Sequence, residues 1–491
     1  MVATKGHRYT PPSTRAPPHS PAESNKSPEN FRPTTQPDNA TLPPTRQPIT
    51  TPVPASRLLL SSALLTTSLL AAAHSPAGQL IVLGDSLSKE YQVTFLGIGG
   101  SPVAAHIRNW CEILDERRHD SFDMGSFSTF TDSRLTGHAL NWSIPGSFAS
   151  DWARNLATPG VSSAALDSQL RSDDARVVIW LGGNDVRTKY EDLYNGKPAD
   201  SWIHSVASDI ESVIQFVRSR HPSIPLVVCG VPHLGGTPSK NNAHPYDPVK
   251  TTRVTAALDT LNLRIHKAAA AAHAGYADTY SITRDLVTAP RWVTGGFRIE
   301  KRESSSGDPA SLFLGDGFHP NWPIQAVFAQ YILDAFNFLE NTRIPRLSNR
   351  EIVGAILGQA IDLSLNQWAR GYDIADGDRG WADDPDGDGL RNLVEFAFDL
   401  DPVRKDRHLL PQPWIENTGA NGPRLALSWQ PRDPTNSTWA RITVQESSDL
   451  KSWSDVPPSA TFNPGGGVRT VRRYPSPDGR TALRFSIQSL P

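Results

Sequence analysis

Short apolar runs alternate with longer amphipathic stretches between residues 79 and 341. The runs that predict strands hold four to six residues, and they are 80–83, 139–144, 177–181, 226–231 and 276–280. The stretches with apolar positions at helical spacing are 103–117, 202–218, 252–272 and 323–339. Short strands that are apolar throughout must be buried on both faces, and helices between them supply the cover. The pattern predicts a three-layer α/β domain with a parallel sheet.

The pattern changes after residue 341. Residues 351–372 are amphipathic at helical spacing, and an acidic loop follows at 383–395. Residues 425–429 and 442–445 alternate apolar and polar side chains between Pro and Gly turns, as expected for half-buried antiparallel strands. We expect a helical linker over 342–405 and a small antiparallel β domain over 411–491.

The N-terminal part has a different composition. Residues 1–55 are rich in Pro, Thr and Ser and predict a disordered extension. Within residues 56–73, the basic Arg57 precedes a short apolar run that ends in small residues, which predicts a signal peptide cleaved near Ala73 and His74. The run is shorter than the roughly 20 residues that span a bilayer. We expect a secreted or periplasmic protein without a stable membrane span after cleavage, with translation starting downstream of Met1.

The length, charge and cysteine content of the chain limit the class of protein further. A chain of 491 residues suggests two or three domains. Lys plus Arg number 48 and Asp plus Glu number 50, which argues against a nucleic-acid partner. The two cysteines are Cys111 and Cys229, and the sequence leaves open whether they pair.

A serine follows the first predicted strand, in Gly84-Asp85-Ser86. The carboxyl end of a parallel strand is where open α/β sheets place their ligands. Gly84 permits a sharp turn there, and the backbone N–H groups beyond the strand are free to face a developing negative charge. The same tripeptide is also typical of an ordinary turn.

Three later stretches add the other groups that a nucleophilic serine needs. Gly146 ends the second predicted strand, and Asn184 follows the third. Asp316 precedes His319 by three residues, so its carboxylate can accept from one ring nitrogen while the other faces the serine. Each has a plain alternative: a turn glycine, a helix cap and a surface histidine. All four together favour catalysis, because a serine hydroxyl is a weak nucleophile without a base.

These motifs resemble those of the SGNH (GDSL-type) hydrolase family over about residues 79–341. They are GDSLS at 84–88, Gly146 within NWSIPG, GGND at 182–185 and DGFH at 316–319. The resemblance implies a flavodoxin-like three-layer α/β/α sandwich. It also implies that Ser86 is the nucleophile, His319 the base and Asp316 the residue that orients it, with no cofactor for catalysis. The implied oxyanion hole consists of the Ser86 and Gly146 N–H groups and the Asn184 side chain.

The expected function is hydrolysis of carboxylic esters through an acyl-serine intermediate. An exported chain with an accessory domain favours a small-molecule or polysaccharide ester, preferably a carbohydrate O-acyl (acetyl) ester. A lipase or thioesterase is the alternative within the family. A non-catalytic, calcium-dependent surface or adhesion protein is the alternative from another class, and the intact Ser86, Asn184, Asp316 and His319 argue against it.

The acidic loop fits a twelve-residue calcium loop position by position. The predicted ligands are Asp384, Asp386, Asp388, the carbonyl of Leu390, Asn392 and Glu395, with Gly389 at the sixth place. The alternative is a solvated acidic turn. The loop resembles those of dockerin-like and thrombospondin type 3-like repeats, which implies a structural Ca2+ in the linker.

The C-terminal stretch 444–453 resembles a β module found at the end of exported bacterial proteins. Trp429, Trp439 and Trp453 lie in the predicted β domain over 411–491. We expect them to be core side chains rather than a sugar platform, because Trp is usually well buried.

Overall fold

The structure, a computed structural model, describes residues 78–91, 107–157, 164–304, 306–359, 363–417, 422–429, 439–457, 461–465, 468–474 and 481–490. The predicted extension and signal peptide lie outside these residues. No helix within the described ranges is long and apolar enough to cross a bilayer. Cys111 and Cys229 are both buried free thiols.

Helices and strands alternate in the first part of the chain. In order, they are β1 Gln79–Gly84, α1 Trp110–Arg117, β2 Phe127–Thr129, β3 Thr136–His138, α2 Ala149–Ala157, α3 Ala164–Gln169, β4 Ala175–Trp180, α4 Gly183–Tyr194, α5 Asp200–Arg220, β5 Leu226–Cys229, the 3-10 turn Leu234–Gly236, α6 Pro238–Ala243, α7 Pro248–Ala271, β6 Gly275–Ala277, α8 Thr279–Thr288, β7 Arg291–Thr294, β8 Phe297–Ser304, β9 Ser311–Leu314 and α9 Trp322–Glu340.

The central sheet is parallel and has the order β1-β4-β5-β6. The predicted strand at 139–144 is not a regular strand, because only one parallel bridge, from Asn141 to Val82, forms there. The segment still runs along the free edge of β1, where Trp142 N donates to Val82 O at 2.9 Å and Ile144 N donates to Gly84 O at 3.0 Å. With this segment counted, the order is 2-1-3-4-5, the flavodoxin-like arrangement.

Alternate residues of β1 point into two different clusters of apolar side chains. Ile81 and Leu83 pack with residues of α2 to α5 and α7. Leu80 and Val82 pack with residues of α1, α8 and α9. All four side chains have no exposed surface. Helices therefore cover both faces of the sheet, and the fold is the three-layer α/β/α sandwich that the sequence predicts.

Two predicted elements meet a helix cap that the apolar pattern did not indicate. Residues 103–106 of the helix predicted over 103–117 lie outside the described residues, and beyond them the helix begins at Trp110, because Asn109 caps it and Glu112 returns a hydrogen bond to the cap. The strand predicted over 276–280 ends at Ala277, because Asp278 caps α8 by accepting from Ser281 N at 3.0 Å. A short polar side chain outweighs apolar periodicity at both places.

The second part of the chain holds short helices and two antiparallel sheets. In order, its elements are the π-helical turn Glu351–Ile356, α10 Leu365–Gly371, the 3-10 turn Asp376–Asp378, α11 Asn392–Phe398, the 3-10 turn Arg407–Leu409, β10 Trp414–Asn417, β11 Pro423–Trp429, β12 Ala440–Ser447, β13 Ser454–Asp455, β14 Thr461–Gly465, β15 Val468–Arg473 and β16 Ala482–Ser489. The sheet orders are β10-β11-β15-β14 and β13-β12-β16. The helical stretch predicted over 351–372 is thus two separate pieces.

The two antiparallel sheets share one apolar core. Leu427 and Trp429 of β11, Val444 of β12 and Val471 of β15 are buried in the same cluster. Trp439 and Trp453 are only partly buried, and Arg484 lies over the Trp453 ring at 4.2 Å. The expectation of a core side chain is therefore confirmed for Trp429, whereas Trp439 and Trp453 are not fully buried.

The core of the first part does not end at residue 341. Leu347, Ile352 and Ile356 are buried in the same cluster as Leu80 and α9. Glu351 also accepts from the Arg118 guanidinium at 2.7 and 3.0 Å. Residues 342–357 thus belong structurally to the α/β body, although sequence composition assigned them to a linker.

We expect Ile352→Ala to lower the free energy of unfolding by about 2–5 kcal/mol, since it leaves a cavity in the α/β core. Phe338→Ala is the matched control, because Phe338 lies on α9 but is 88% exposed. Denaturant unfolding of both variants measures the difference. Equal, small effects would show that residues 342–357 form a linker after all.

Candidate active site

Ser86 lies in the tight turn that follows β1. Asp85 closes this turn, since its Oδ1 accepts from Leu87 N at 2.9 Å and its carbonyl accepts from Lys89 N at 3.1 Å. Ser86 is buried with the rest of the turn. The turn therefore holds the hydroxyl at the carboxyl end of the sheet.

His319 brings its imidazole to Ser86 from 233 residues away in the chain. Its Nε2 lies 2.9 Å from Ser86 Oγ, and its Nδ1 lies 2.5 Å from Asp316 Oδ2. The other oxygen of Asp316 accepts from the backbone N–H groups of Phe318 at 2.9 Å and His319 at 3.0 Å. The structure thus brings together the three residues that the sequence singled out as nucleophile, base and orienting carboxylate.

Asp316 is held in its charged form. Burial works to raise the pKa of its carboxyl, but the hydrogen bond and charge of His319, with the two backbone donors, outweigh burial and lower the pKa. An ionised carboxylate on Nδ1 fixes the ring orientation and leaves Nε2 facing the serine.

The loop that contains Gly146 is tied to the Ser86 turn. Gly84 O accepts from Ile144 N at 3.0 Å and from the Trp152 indole at 3.2 Å. The same indole lies 3.1 Å from Ser147 Oγ. Gly146 is exposed, and its φ of +81° favours glycine. The backbone that follows the segment 139–144 therefore turns beside the Ser86 loop.

Asn184 joins the same group of loops. It is the second residue of α4, and its Nδ2 donates to Ser147 O at 3.1 Å. Gly182 precedes the helix at a φ of +102°, and a Cβ there would come within 2.8 Å of Val231. Asn184 is not the helix cap, because the cap position belongs to Gly182. Its side chain instead points at the residue next to Gly146.

Two buried aspartates that sequence reasoning missed connect these loops. Asp85 also accepts a backbone hydrogen bond from Gly183, and Asp185 Oδ2 accepts from Ala149 N at 3.0 Å. Burial raises the pKa of Asp85 to about 7, the Leu87 amide opposes this, and the charge of Asp185 adds to it. Burial likewise raises the pKa of Asp185. Asp85, which precedes Ser86, and Asp185, which follows Asn184, therefore hold the loops of the site together.

Tyr91 is a further contact that the sequence gave no reason to expect. Its hydroxyl donates to Pro320 O at 2.9 Å and accepts from Gln325 Nε2 at 2.9 Å. Pro320 follows His319 directly, so this pair anchors the backbone that carries the imidazole. A lone tyrosine carries no sequence signal for such a role.

A second Ser-His-Asp string occurs at the surface. His221 Nε2 lies 3.1 Å from Asp173 Oδ1, and its Nδ1 lies 3.5 Å from Ser223 Oγ. The Asp173 side chain is 98% exposed, and the string precedes β5 instead of following a strand. Water can replace each of its hydrogen bonds, which separates it from the buried set at Ser86.

An apolar pocket lies beside the Ser86–His319 pair. Its lining includes Leu87 and Phe318, the chain neighbours of these two residues. The other lining residues are Trp180, Pro232, His233, Leu234, Gly236, Thr237, Thr283, Leu286, Phe313, Pro320, Ile324 and Phe328. The pocket therefore offers almost only hydrocarbon and aromatic surface.

The predicted calcium ligands lie together in the second part of the chain. The carboxylates of Asp384, Asp386 and Asp388 offer oxygens within 4.8 Å of one another. Leu390 is buried, and Asn392 Nδ2 donates to the carbonyls of residues 378 and 380, at 2.8 and 2.9 Å. Burial, together with the charges of Asp386 and other carboxylates, raises the pKa of Glu395 to about 9.

The chain matches known proteins over its first part. Residues 82–326 match the model of the GDSL-like Lipase/Acylhydrolase family. No match to a curated protein was found by sequence comparison.

Three solved structures are similar over 54% of this chain at low identity. A phospholipase A1 from Streptomyces albidoflavus NA297 is 18% identical, is covered over 98% of its length and has a TM-score of 0.29. A variant of an acetyl xylan esterase from Geobacillus stearothermophilus is 14% identical, with 97% covered and a TM-score of 0.30. An extracellular lipase from Streptomyces rimosus is 17% identical, with 99% covered and a TM-score of 0.30.

The stretches that hold Ser86, Gly146, Asn184 and His319 all fall inside the segment that matches the family model. The match and the geometry of these residues together support the placement of the segment 82–326 in the GDSL-like Lipase/Acylhydrolase family.

Proposed function

We propose that the protein is a serine-dependent carboxylic ester hydrolase with Ser86 as its nucleophile. The observation that carries this proposal is the buried contact of 2.9 Å between His319 Nε2 and Ser86 Oγ, with Asp316 on the other ring nitrogen. His319 takes the hydroxyl proton while Ser86 Oγ attacks the ester carbonyl carbon. The resulting imidazolium is stabilised by the ionised Asp316, which does not itself take the proton.

The tetrahedral intermediate then collapses. The C–O bond to the alcohol breaks, and His319 returns the proton to the leaving alkoxide. Water, deprotonated by the same imidazole, attacks the acyl-serine, and the acid leaves as Ser86 regains its proton. Each proton passes through His319 Nε2, which is why this nitrogen must face the serine.

The negative charge on the carbonyl oxygen requires donors that are already in place. The Ser86 and Gly146 N–H groups and the Asn184 amide are the proposed donors. Asn184 Nδ2 carries two hydrogens, and one of them is used by Ser147 O, so the other remains for the oxyanion. The hydrogen bonds of Asp85 and Asp185 hold these loops before substrate arrives, so little reorganisation is needed.

The preferred substrate is a carbohydrate O-acyl ester, with acetyl as the first choice. The signal-like run at 58–73 supports export, and the β sheets after residue 411 provide an accessory region. Extracellular or periplasmic polysaccharide esters suit such a chain.

A lipase-like preference for longer acyl groups is the second candidate. The apolar pocket beside Leu87 and Phe318 favours it, because an acyl chain placed there would be removed from water. The two candidates differ in the acyl group and share the same catalytic residues.

We expect Ser86→Ala and His319→Ala each to lower turnover of an aryl acetate by at least about 1,000-fold, since nucleophile and base act as a unit. His221→Ala is the matched control, because it removes a histidine from a similar Ser-His-Asp string at the surface. It should leave kcat unchanged. Near wild-type activity in either of the first two variants would refute the mechanism.

Asn184→Ala should lower kcat by about 100- to 1,000-fold, which is the usual cost of one oxyanion donor. The KM should change much less, because the amide acts mainly on the transition state. Steady-state kinetics on the aryl acetate separate the two constants. An effect confined to KM would make Asn184 a substrate-binding residue.

A panel of aryl esters from acetate to longer chains, with acetylated polysaccharide, tests the acyl preference. Leu286→Phe should lower kcat/KM for long esters more than for acetate, because it fills the apolar pocket. Leu263→Phe makes the same change at an exposed position and serves as the control. A uniform loss across the panel would show that the pocket does not hold the acyl chain.

A further inference from the structure

The segment 384–406 contains buried carboxylate oxygens without a hydrogen-bond partner. Both oxygens of Glu395 are in this state, and the residue has 0% exposed surface. Asp386 Oδ2 and Asp406 Oδ1 are also buried and unpartnered, and Asp406 is only 8% exposed. A buried carboxylate without a donor or a cation is costly, so the fold requires a partner for these oxygens.

The backbone beside Asp406 packs against the acidic loop. The charges that act most strongly on Glu395 are those of Asp386, Asp406 and Asp388. Arg407 N donates to Asp388 Oδ2 at 2.9 Å, which fixes the backbone next to Asp406 against the acidic loop. Asp406 therefore belongs to the same cluster, although it lies eleven residues beyond Glu395 in the sequence.

Two nearby arginines pair elsewhere, and a third, Arg407, donates from Nη1 to the Asp388 carbonyl at 3.4 Å. Arg404 lies 3.3 Å from both Asp401 and Asp285 and stacks on the Trp292 ring. Arg346 pairs with Asp334 at 2.7 Å. Among the described residues, no Lys or Arg forms an ion pair with Glu395 or Asp406. A bound cation would balance these charges.

One carboxylate oxygen of Asp406 accepts a hydrogen bond, and the other has no hydrogen-bond partner. Its Oδ2 accepts from Asp401 N at 2.8 Å, which closes the turn 401–406. Its Oδ1 has no partner. The side chain is thus oriented by the turn and keeps one buried oxygen without a hydrogen-bond partner.

We propose that a calcium ion binds the acidic loop and that Asp406, from outside the twelve-residue loop, supplies one of its oxygen ligands. The loop itself offers one oxygen each from Asp384, Asp386 and Asp388, the Leu390 carbonyl, the buried Asn392 Oδ1 and both oxygens of Glu395. Adding Asp406 gives eight oxygens, which lies within the range of about 6–8 that calcium accepts. Magnesium demands a smaller octahedral set and fits this cluster less well.

This ligand set connects the ion to the α/β body. Asp406 and Asp401 share a hydrogen bond, and Arg404 in the same turn contacts Asp285 of α8 and Trp292 of β7. Calcium bound to the folded state alone raises stability by mass action. Occupancy should therefore stabilise the packing of the 384–406 segment as well as the loop.

Calorimetric titration of the chelated full chain with calcium chloride tests the proposal. Wild type should bind about one ion. Asp406→Asn should weaken the affinity by about tenfold or more, and Glu395→Gln should do the same. Asp376→Asn is the matched control, because it removes one charge from the same acidic stretch at a side chain that is 90% exposed and paired with Arg379. Its affinity should equal that of wild type.

The melting temperature distinguishes a ligand from a structural side chain. Without calcium, Asp406→Asn should melt no lower than wild type, because it removes an unpaired buried charge and keeps an acceptor for Asp401 N. With calcium, the rise in melting temperature should be smaller than in wild type. An equal loss with and without calcium, or an unchanged affinity, would show that Asp406 is not a ligand. No calcium binding by wild type would overturn the site itself, whatever the esterase assays show.

Discussion

The burial of β1 on both faces is the constraint on which the rest of the structure depends. Four consecutive apolar side chains with no exposed surface leave the strand only its edges for hydrogen bonding and only its two ends for polar residues. β4 occupies one edge and the segment 139–144 the other. Because all three run parallel, the loops that carry Ser86, Gly146 and Asn184 meet at the same end of the sheet. The arrangement of the site follows from this pairing.

Two buried carboxylates lie in opposite environments in this protein. Asp316 receives three donors, from the His319 ring and two backbone amides, and its pKa is lowered. Both oxygens of Glu395 lack a donor, and its pKa is raised to about 9. The first environment suits a carboxylate that must stay ionised beside an imidazole. The second suits a carboxylate whose partner is a cation.

The two Ser-His-Asp strings show why residue types alone do not make a site. The string of Ser223, His221 and Asp173 has the same groups at similar distances, but water reaches it and no loops converge on it. Around Ser86, the buried carboxylates of Asp85 and Asp185 accept hydrogen bonds that hold the surrounding backbone. The Ser86 set differs from the surface string in its low-dielectric environment and its fixed donors, and both are properties of the fold.

The sequence by itself determined the α/β class, the strands with continuous apolar runs and the positions of Ser86, Asn184, Asp316 and His319. These signals are local, since each depends on a few neighbouring residues. Only the tertiary structure decided that 139–144 pairs irregularly, that Leu347 and Ile352 extend the α/β core, and that Asp406 approaches the acidic loop. Strand pairing, core packing and the meeting of charges depend on residues far apart in the chain. A local pattern carries no information about which distant partner a side chain will meet.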